Sequence, residues 1–280
     1  LVGAVFGLGF IVGPVLGAVL SKVNILDLAP GLARIGINPF SAPALVALIL
    51  SLANFFWFQV RFKESLTEKN RHKPPPTGAW GSLVALLRVE HPGIRQVNGL
   101  FLIFIAAFSG MEFTLTFLAV ERFNYTPAQN GFIFLYVGFF LVLIQGTLVG
   151  RLSAKFGEKR MALYGLGCGV LAFLLLSHSD TIPLFYASLT MMALAGGLVN
   201  PSLTSLVSLY STEEKQGVHL GLFRSSGSFA RAVGPLLAAA VYWYFGAKAA
   251  YLLAGIVIVV PFYRCFFLPP VGVERIKGPI

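Results

Sequence analysis

The sequence predicts an all-α integral membrane protein, a bundle of about eight transmembrane helices. Three observations predict it. The composition is too apolar to wrap a water-soluble globule, eight apolar segments are each long enough to cross a bilayer, and basic residues gather in every second connection. Charged residues are 11% of the 280, hydrophobic residues 56%, and the mean hydropathy is +0.80. A soluble domain carries roughly 25% charged residues. Phe, at 26 residues, is abundant, as expected where side chains face lipid tails.

A bilayer span needs about 20 mostly apolar residues. Segments of that kind fall near 1–20, 41–60, 97–120, 129–150, 161–179, 182–209, 218–245 and 247–268. The connections 61–96, 151–160 and 210–217, with the end of the chain from Arg264, hold fifteen of the 21 basic residues. The alternate connections hold four: Lys22, Arg34, Arg122 and Lys248. Under the positive-inside rule the richer set, and the C-terminus with it, is expected in the cytoplasm. The net charge of +10 is explained the same way. Its residues form no stripe along one element, so no nucleic-acid partner is expected.

The 61–96 stretch divides the chain. Arg71-His-Lys-Pro-Pro-Pro ends any helix there, and Trp80, Leu83, Val84 and Leu87 then recur at the spacing of a short interfacial helix. Two helices (1–60) therefore precede a cytoplasmic linker (61–96), six helices (97–268) follow it, and 269–280 is expected as a cytoplasmic tail. The first residue, Leu1, already lies in an apolar run with no charged region or cleavage site before it, so no signal peptide is read. The asymmetry predicts a fragment of a repeat protein. Gly7 and Gly13-Pro14 in the first span echo Gly227 and Gly234-Pro235 in the seventh, and both spans run outward from the cytoplasmic side. A parallel six-helix repeat follows, with four helices missing from the first half. Residues 1–280 alone are expected not to transport.

Those residues resemble the major facilitator superfamily, whose members have two parallel six-helix halves joined by a cytoplasmic loop. Gly3-Ala-Val-Phe-Gly7-Leu-Gly9-Phe-Ile-Val-Gly13-Pro14-Val-Leu-Gly17 resembles its fifth-helix antiporter motif. Gly150-Arg151-Leu-Ser-Ala-Lys155-Phe-Gly157-Glu-Lys159-Arg160 resembles the second-half copy of its loop motif. Family members often carry Asp where this chain has Ala154, so the resemblance does not imply a charge-based latch there. Ser109-Gly-Met-Glu112-Phe-Thr-Leu-Thr, Leu222-Phe-Arg224-Ser-Ser-Gly-Ser-Phe-Ala-Arg231 and Ala240-Val-Tyr-Trp243 resemble the superfamily's tetracycline-transporter-like, drug:proton antiporter branch. The resemblance implies the superfamily fold, present from the fifth to the twelfth of twelve helices, a small organic anion as solute, and residence in the plasma membrane or an internal, nuclear one.

The residues that carry chemistry are polar groups at membrane depth, where a charge is costly unless it faces a wet cavity or a partner. Arg231 lies about thirteen residues into the seventh span, roughly 20 Å deep. Arg224, seven residues earlier, projects from nearly the same face. Two such cations suit an anionic solute, held bidentately; snorkelling or a structural ion pair is the plainer alternative. Glu112, deep in the third span, is a carboxylate that can exchange a proton with its surroundings, as proton coupling requires. A static pair with Arg231 is its alternative. Gln145 and Asn200 are candidate solute hydrogen-bonders, Asn200 beside a helix-breaking Pro201, or else they bond between helices. Gly9, Gly13 and Gly17, with Pro14, are candidates for close helix packing and gating. So are Gly150, Arg151, Gly157 and Arg160 in the loop motif, and Gly234 with Pro235.

No catalytic, cofactor or metal constellation is read, so neither an enzyme nor a metalloprotein is expected. Cys168 and Cys265 sit in apolar runs as free thiols, and Gly165-Leu-Gly-Cys-Gly169 follows no strand and is no dinucleotide fingerprint. The expected function is alternating-access transport of a small organic anion in contact with lipid, with protons as the candidate coupling ion. The alternatives are a proton-coupled drug exporter, or a non-transporting membrane scaffold or receptor on the same fold.

Overall fold

In the computed structural model the described residues are 9, 12, 13, 16, 17, 19, 20, 22–39, 41–62, 89 and 91–270. The expected interfacial helix at 80–87, Pro14 and the tail from 271 lie outside them. The described residues between 9 and 20 are helical. A short helix α1 (Ile25–Leu28), capped by the Asn24 side chain, and a 3-10 turn (Pro30–Ile35) connect them to α2 (Ala42–Arg61), of which only Ala42 is buried.

The rest packs as a bundle. Helix α3 (Pro92–Phe123) starts where the His91 ring accepts from the Ile94 N–H and Pro92 opens the first turn. It ends at Asn124, which takes the left-handed conformation common just past a helix end. Its 32 residues run about 48 Å, longer than the hydrocarbon core. Val97, Phe101, Phe104, Phe108, Met111, Leu115 and Leu118, alternately four and three apart, make its buried seam.

Thr126 and Gln129 close a capping box at the start of α4 (Pro127–Leu143). That helix passes through a π-helical segment, Ile144–Leu148, into α5 (Val149–Phe156). The loop expected at 151–160 is therefore mostly helix. Only Gly157 leaves helical space, at φ 78° and ψ 160°, a region closed to side chains with a Cβ, and α6 (Glu158–Ser177) starts at once. Helix α7 (Ile182–Tyr210) contains Pro201. Helix α8 (Gln216–Cys265) runs 50 residues and is broken at Gly246, at φ 84° and ψ 164°. The seventh and eighth expected spans are thus joined by one glycine, without a loop. Among the described residues six helices are long and apolar enough to cross a membrane, the broken one counted once.

The ends of these helices gather in two groups. At one end Gln96 donates to the Arg264 carbonyl at 2.9 Å, and Lys159 to those of Phe266 and Leu268 at 2.8 and 2.7 Å. His91 stacks on Tyr210 there, with ring centres 5.2 Å apart. At the other end Arg122 bonds Ser179 at 3.1 Å and pairs with Asp180 at 3.5 Å, while Tyr242 donates to Glu121 at 2.7 Å.

The first arm of α8 lies against α3 with almost nothing between the backbones. Ser109 donates to the Ala230 carbonyl, and a Cβ at Gly234 would collide with the Ala106 carbonyl oxygen and the Ser109 hydroxyl. At Gly110 a Cβ would lie 2.6 Å from that of Ala238, and at Gly227 2.6 Å from the Phe101 ring. Small residues permit this approach, which van der Waals contact then rewards. Gly234→Val is expected to force the helices apart at about 3 kcal/mol, the upper range for overpacking. The check is a lowered thermal-unfolding midpoint in detergent. Gly131→Ala, where nothing described lies within 4 Å of the new Cβ, is expected to hold the midpoint or raise it slightly, since alanine is the better helix former.

Candidate functional site

A cavity of about 820 Å³ opens between α7, the first arm of α8, the π segment and α3. The spacing of its lining follows from helix geometry. Asn200, Pro201, Thr204, Ser205 and Ser208 form one stripe of α7, and Leu220, Arg224, Gly227, Ser228 and Arg231 form one stripe of α8, each recurring three or four residues apart. Phe101, stacked on Phe223 at 3.9 Å, and Gln145 complete it.

The four residues expected to contact a solute, Arg224, Arg231, Gln145 and Asn200, all line this one cavity. Gln145 reaches it from the π segment, seated where Gly196 and Gly197 leave room on α7. A Cβ at Gly197 would come 2.8 Å from Ile144. Such segments carry one residue more than an α turn and recur at functional sites. Pro201 and Pro235 each lack the N–H that would bond four residues back, which releases the carbonyls of Gly197 and Arg231 from the helical ladder. The Asn200 amide instead donates to Gly196, and the Thr204 hydroxyl to Asn200.

The charges are few. Glu112 on α3 approaches Arg231 to 3.9 Å, with 23% of the carboxylate side chain exposed against 44% of the arginine. That is contact at the limit of an ion pair; Arg231 is a lining residue, and neither side chain is fully buried. Among the described residues no carboxylate lies within 4 Å of Arg224, which is exposed and lines the cavity.

The loop-motif residues sit elsewhere. Arg151 and Arg160 are exposed near Gly157, and nothing described lies within 4 Å of a Cβ at Gly150, Gly9, Gly13 or Gly17. The motif does touch the cavity wall through one residue. Glu158 accepts from Ser153 at 2.6 Å and from Ser205, a lining residue, at 3.2 Å. Residue-by-residue reading passed over Thr204, Ser205, Ser208 and Ser228. The available signal was the three-and-four spacing of the first three on one face of α7, and the place of Ser228 four residues from Arg224 on α8.

Six membrane-length helices among the described residues, with a cavity lined by two arginines between them, define a polytopic membrane protein. The family model described as the Major Facilitator Superfamily matches residues 1–176 and 100–279. The chain belongs to the Major Facilitator Superfamily, and its fold is that of the superfamily. It is similar to major facilitator superfamily domain-containing protein 10 of Homo sapiens, at 30% identity over 94% of this chain and 57% of that protein. The Mus musculus counterpart is 29% identical over 93% of this chain and 57% of its own length. The Escherichia coli tetracycline resistance protein, class B, is 26% identical over 86% of this chain and 56% of that protein. Among solved structures, the crystal structure of the human organic anion transporter MFSD10 (TETRAN) superposes with a TM-score of 0.76 at 28% identity. The match covers 94% of this chain and 62% of that one. The chain thus spans a little over half the length of the curated relatives it matches.

Proposed function

We propose that the whole protein is a secondary active transporter that moves small organic anions by alternating access. In this reading residues 1–60 end one six-helix half, 61–96 link it on the cytoplasmic side, and 97–268 form the other half. The observation that carries the reading is the single cavity on whose wall Arg224 and Arg231 stand together, with Gln145 and Asn200 beside them. Guanidinium groups in a low-dielectric cleft attract and orient carboxylates and sulfonates. Similarity to a structure named as that of an organic anion transporter supports the same solute class.

Glu112, within reach of Arg231, is the candidate for proton coupling: a carboxylate that exchanges protons changes its hold on the arginine and so on the anion. A second reading, proton-driven export of amphipathic drugs, is favoured by similarity to the tetracycline resistance proteins and depends more on Glu112 than on the arginines. The proposed orientation puts the end bearing Lys159, Arg264 and the linker in the cytoplasm of a plasma or internal membrane, by the charge rule.

The test is uptake of labelled organic anions, a panel of aryl carboxylates, into vesicles carrying the whole protein, with and without an inward proton gradient. Saturable uptake above empty vesicles is expected, and a gradient that accelerates or slows it identifies protons as the coupling ion. No uptake across the panel would overturn the reading in favour of drug export or a scaffold role.

A further inference from the structure

The cavity has two cationic ends. Arg224 and Arg231 line it from nearly one face of α8, about 10 Å apart along the helix, seven residues at 1.5 Å each. Among the described residues no carboxylate belongs to the lining. Glu112 approaches Arg231 from outside it, at 3.9 Å, and competes for that guanidinium.

Each end also holds hydrogen-bond donors. Ser208 lies where α8 begins, the end of Arg224; it accepts from Gln216 and keeps its own hydroxyl proton to give. Distance from the connection at 211–215 grows backward along α7 and forward along α8, so Asn200 stands toward the Arg231 end. Gln145 stands there too, since its neighbour Ile144 packs over Gly197. The Asn200 amide gives one N–H to the Gly196 carbonyl and retains the second, and the Gln145 amide carries two. The middle of the wall is different. At Gly227 the Phe101 ring lies against bare backbone, where a Cβ would come 2.6 Å from it. Thr204 and Ser228 give their hydroxyl protons to carbonyls of their own helices. A guanidinium with spare donors beside it suits a carboxylate, and the aromatic middle suits a flat apolar core.

We propose that this cavity takes elongate dianions, with two carboxylates or sulfonates about 10 Å apart on a flat apolar core. One anionic group is held at Arg224 and Ser208, the other at Arg231, Asn200 and Gln145. The proposal rests on the anion-transport reading and specifies the solute class of the same site.

Three probes share a biphenyl frame. Biphenyl-4,4′-dicarboxylate holds its carboxylates at about the spacing of the arginines. Biphenyl-2,2′-dicarboxylate carries the same charge with the two groups close together, and biphenyl-4-carboxylate has one. Each is measured as an inhibitor of labelled aryl carboxylate uptake in vesicles carrying the whole protein, and the labelled 4,4′ dianion directly as a solute. Binding is read beside it as the rise each probe causes in the thermal-unfolding midpoint in detergent, so variants that no longer transport still report. Wild type is expected to carry the 4,4′ dianion and to prefer it about tenfold over either other probe, the order of one added charge-assisted contact. Arg224→Gln and Arg231→Gln are each expected to erase that preference in binding. Arg231→Lys, which keeps the charge, is expected to retain part of it, and Glu112→Gln, which removes the rival carboxylate, to widen it. A 4,4′ dianion no better than its 2,2′ isomer, or a preference that survives in both glutamine variants, would overturn the proposal while anion transport stands. So would a 4,4′ dianion that binds but is not carried while the monoanion is. If no probe and no panel anion is taken up, the transport reading falls and the proposal falls with it.

Discussion

Arg224→Glu is expected to abolish saturable anion uptake while leaving the fold intact. The side chain projects into the cavity, and no described carboxylate lies within 4 Å of it, so its removal strands no partner. Reversal lowers the charge on the wall by two units. At about 5 Å and an effective dielectric near 20, each unit is worth about 3 kcal/mol before screening by salt. Uptake should therefore fall by more than about a hundredfold even after generous screening. Arg224→Lys keeps the charge and loses the planar fork, so a deficit of about tenfold or less is expected. Initial rates, normalised to protein at the membrane and read beside the thermal-unfolding midpoint, decide the matter. Wild-type uptake in the glutamate variant would remove Arg224 from the site.

Arg231→Ala is expected to lose uptake as well, and also to destabilise, which sets it apart from the first variant. Here a partner is left behind, because Glu112, less exposed than the arginine, loses the cation at 3.9 Å. Truncating one member of a close charge pair typically costs 2–5 kcal/mol in binding, which predicts a loss of roughly thirtyfold or more. The stability term is smaller, since both side chains keep contact with solvent, and about 1 kcal/mol is the appropriate scale. A double-mutant cycle with Glu112→Gln isolates it. The double variant should recover most of the lost midpoint without recovering uptake of carboxylates to the wild-type rate. Additive effects on stability would mean that the contact has no energetic weight.

Much of the bundle was legible in the sequence because a bilayer imposes a coarse rule: length and hydropathy locate a span whatever its neighbours are. Arg224 and Arg231 were recognisable as companions for a similar reason, since seven residues make nearly two helical turns. Gln145 and Asn200 stand on other helices. Nothing in their local sequence says that the π segment and α7 bring them to the same cavity as the arginines; that depends on the fit of Ile144 over Gly197. The π segment is a matter of hydrogen-bond register, to which hydropathy is blind. The break at Gly246 falls where the apolar segments 218–245 and 247–268 divide; what hydropathy does not show is that one residue with positive φ makes it without a polar loop. Thr204, Ser205 and Ser208 were passed over because hydroxyls in apolar helices usually satisfy themselves on the preceding turn, as Thr204 does here. The ties at the two helix ends, Lys159 to the close of α8 and Arg122 to the α6–α7 turn, join residues dozens of positions apart.

The segment Ile144–Leu148 has one more implication, for insertions and deletions. A π turn is an α turn with a surplus residue, so this is the one stretch of the described spans where the chain can shed an amino acid and still close its ladder. A variant one residue shorter here would knit α4 and α5 into an unbroken α-helix. The remainder on one side would then rotate by about 100° relative to the other. Either Gln145 swings away from the arginines or the loop motif swings away from Ser205. The surplus residue thus acts as a phase shift, letting one helix face the cavity at its middle and α6 at its end.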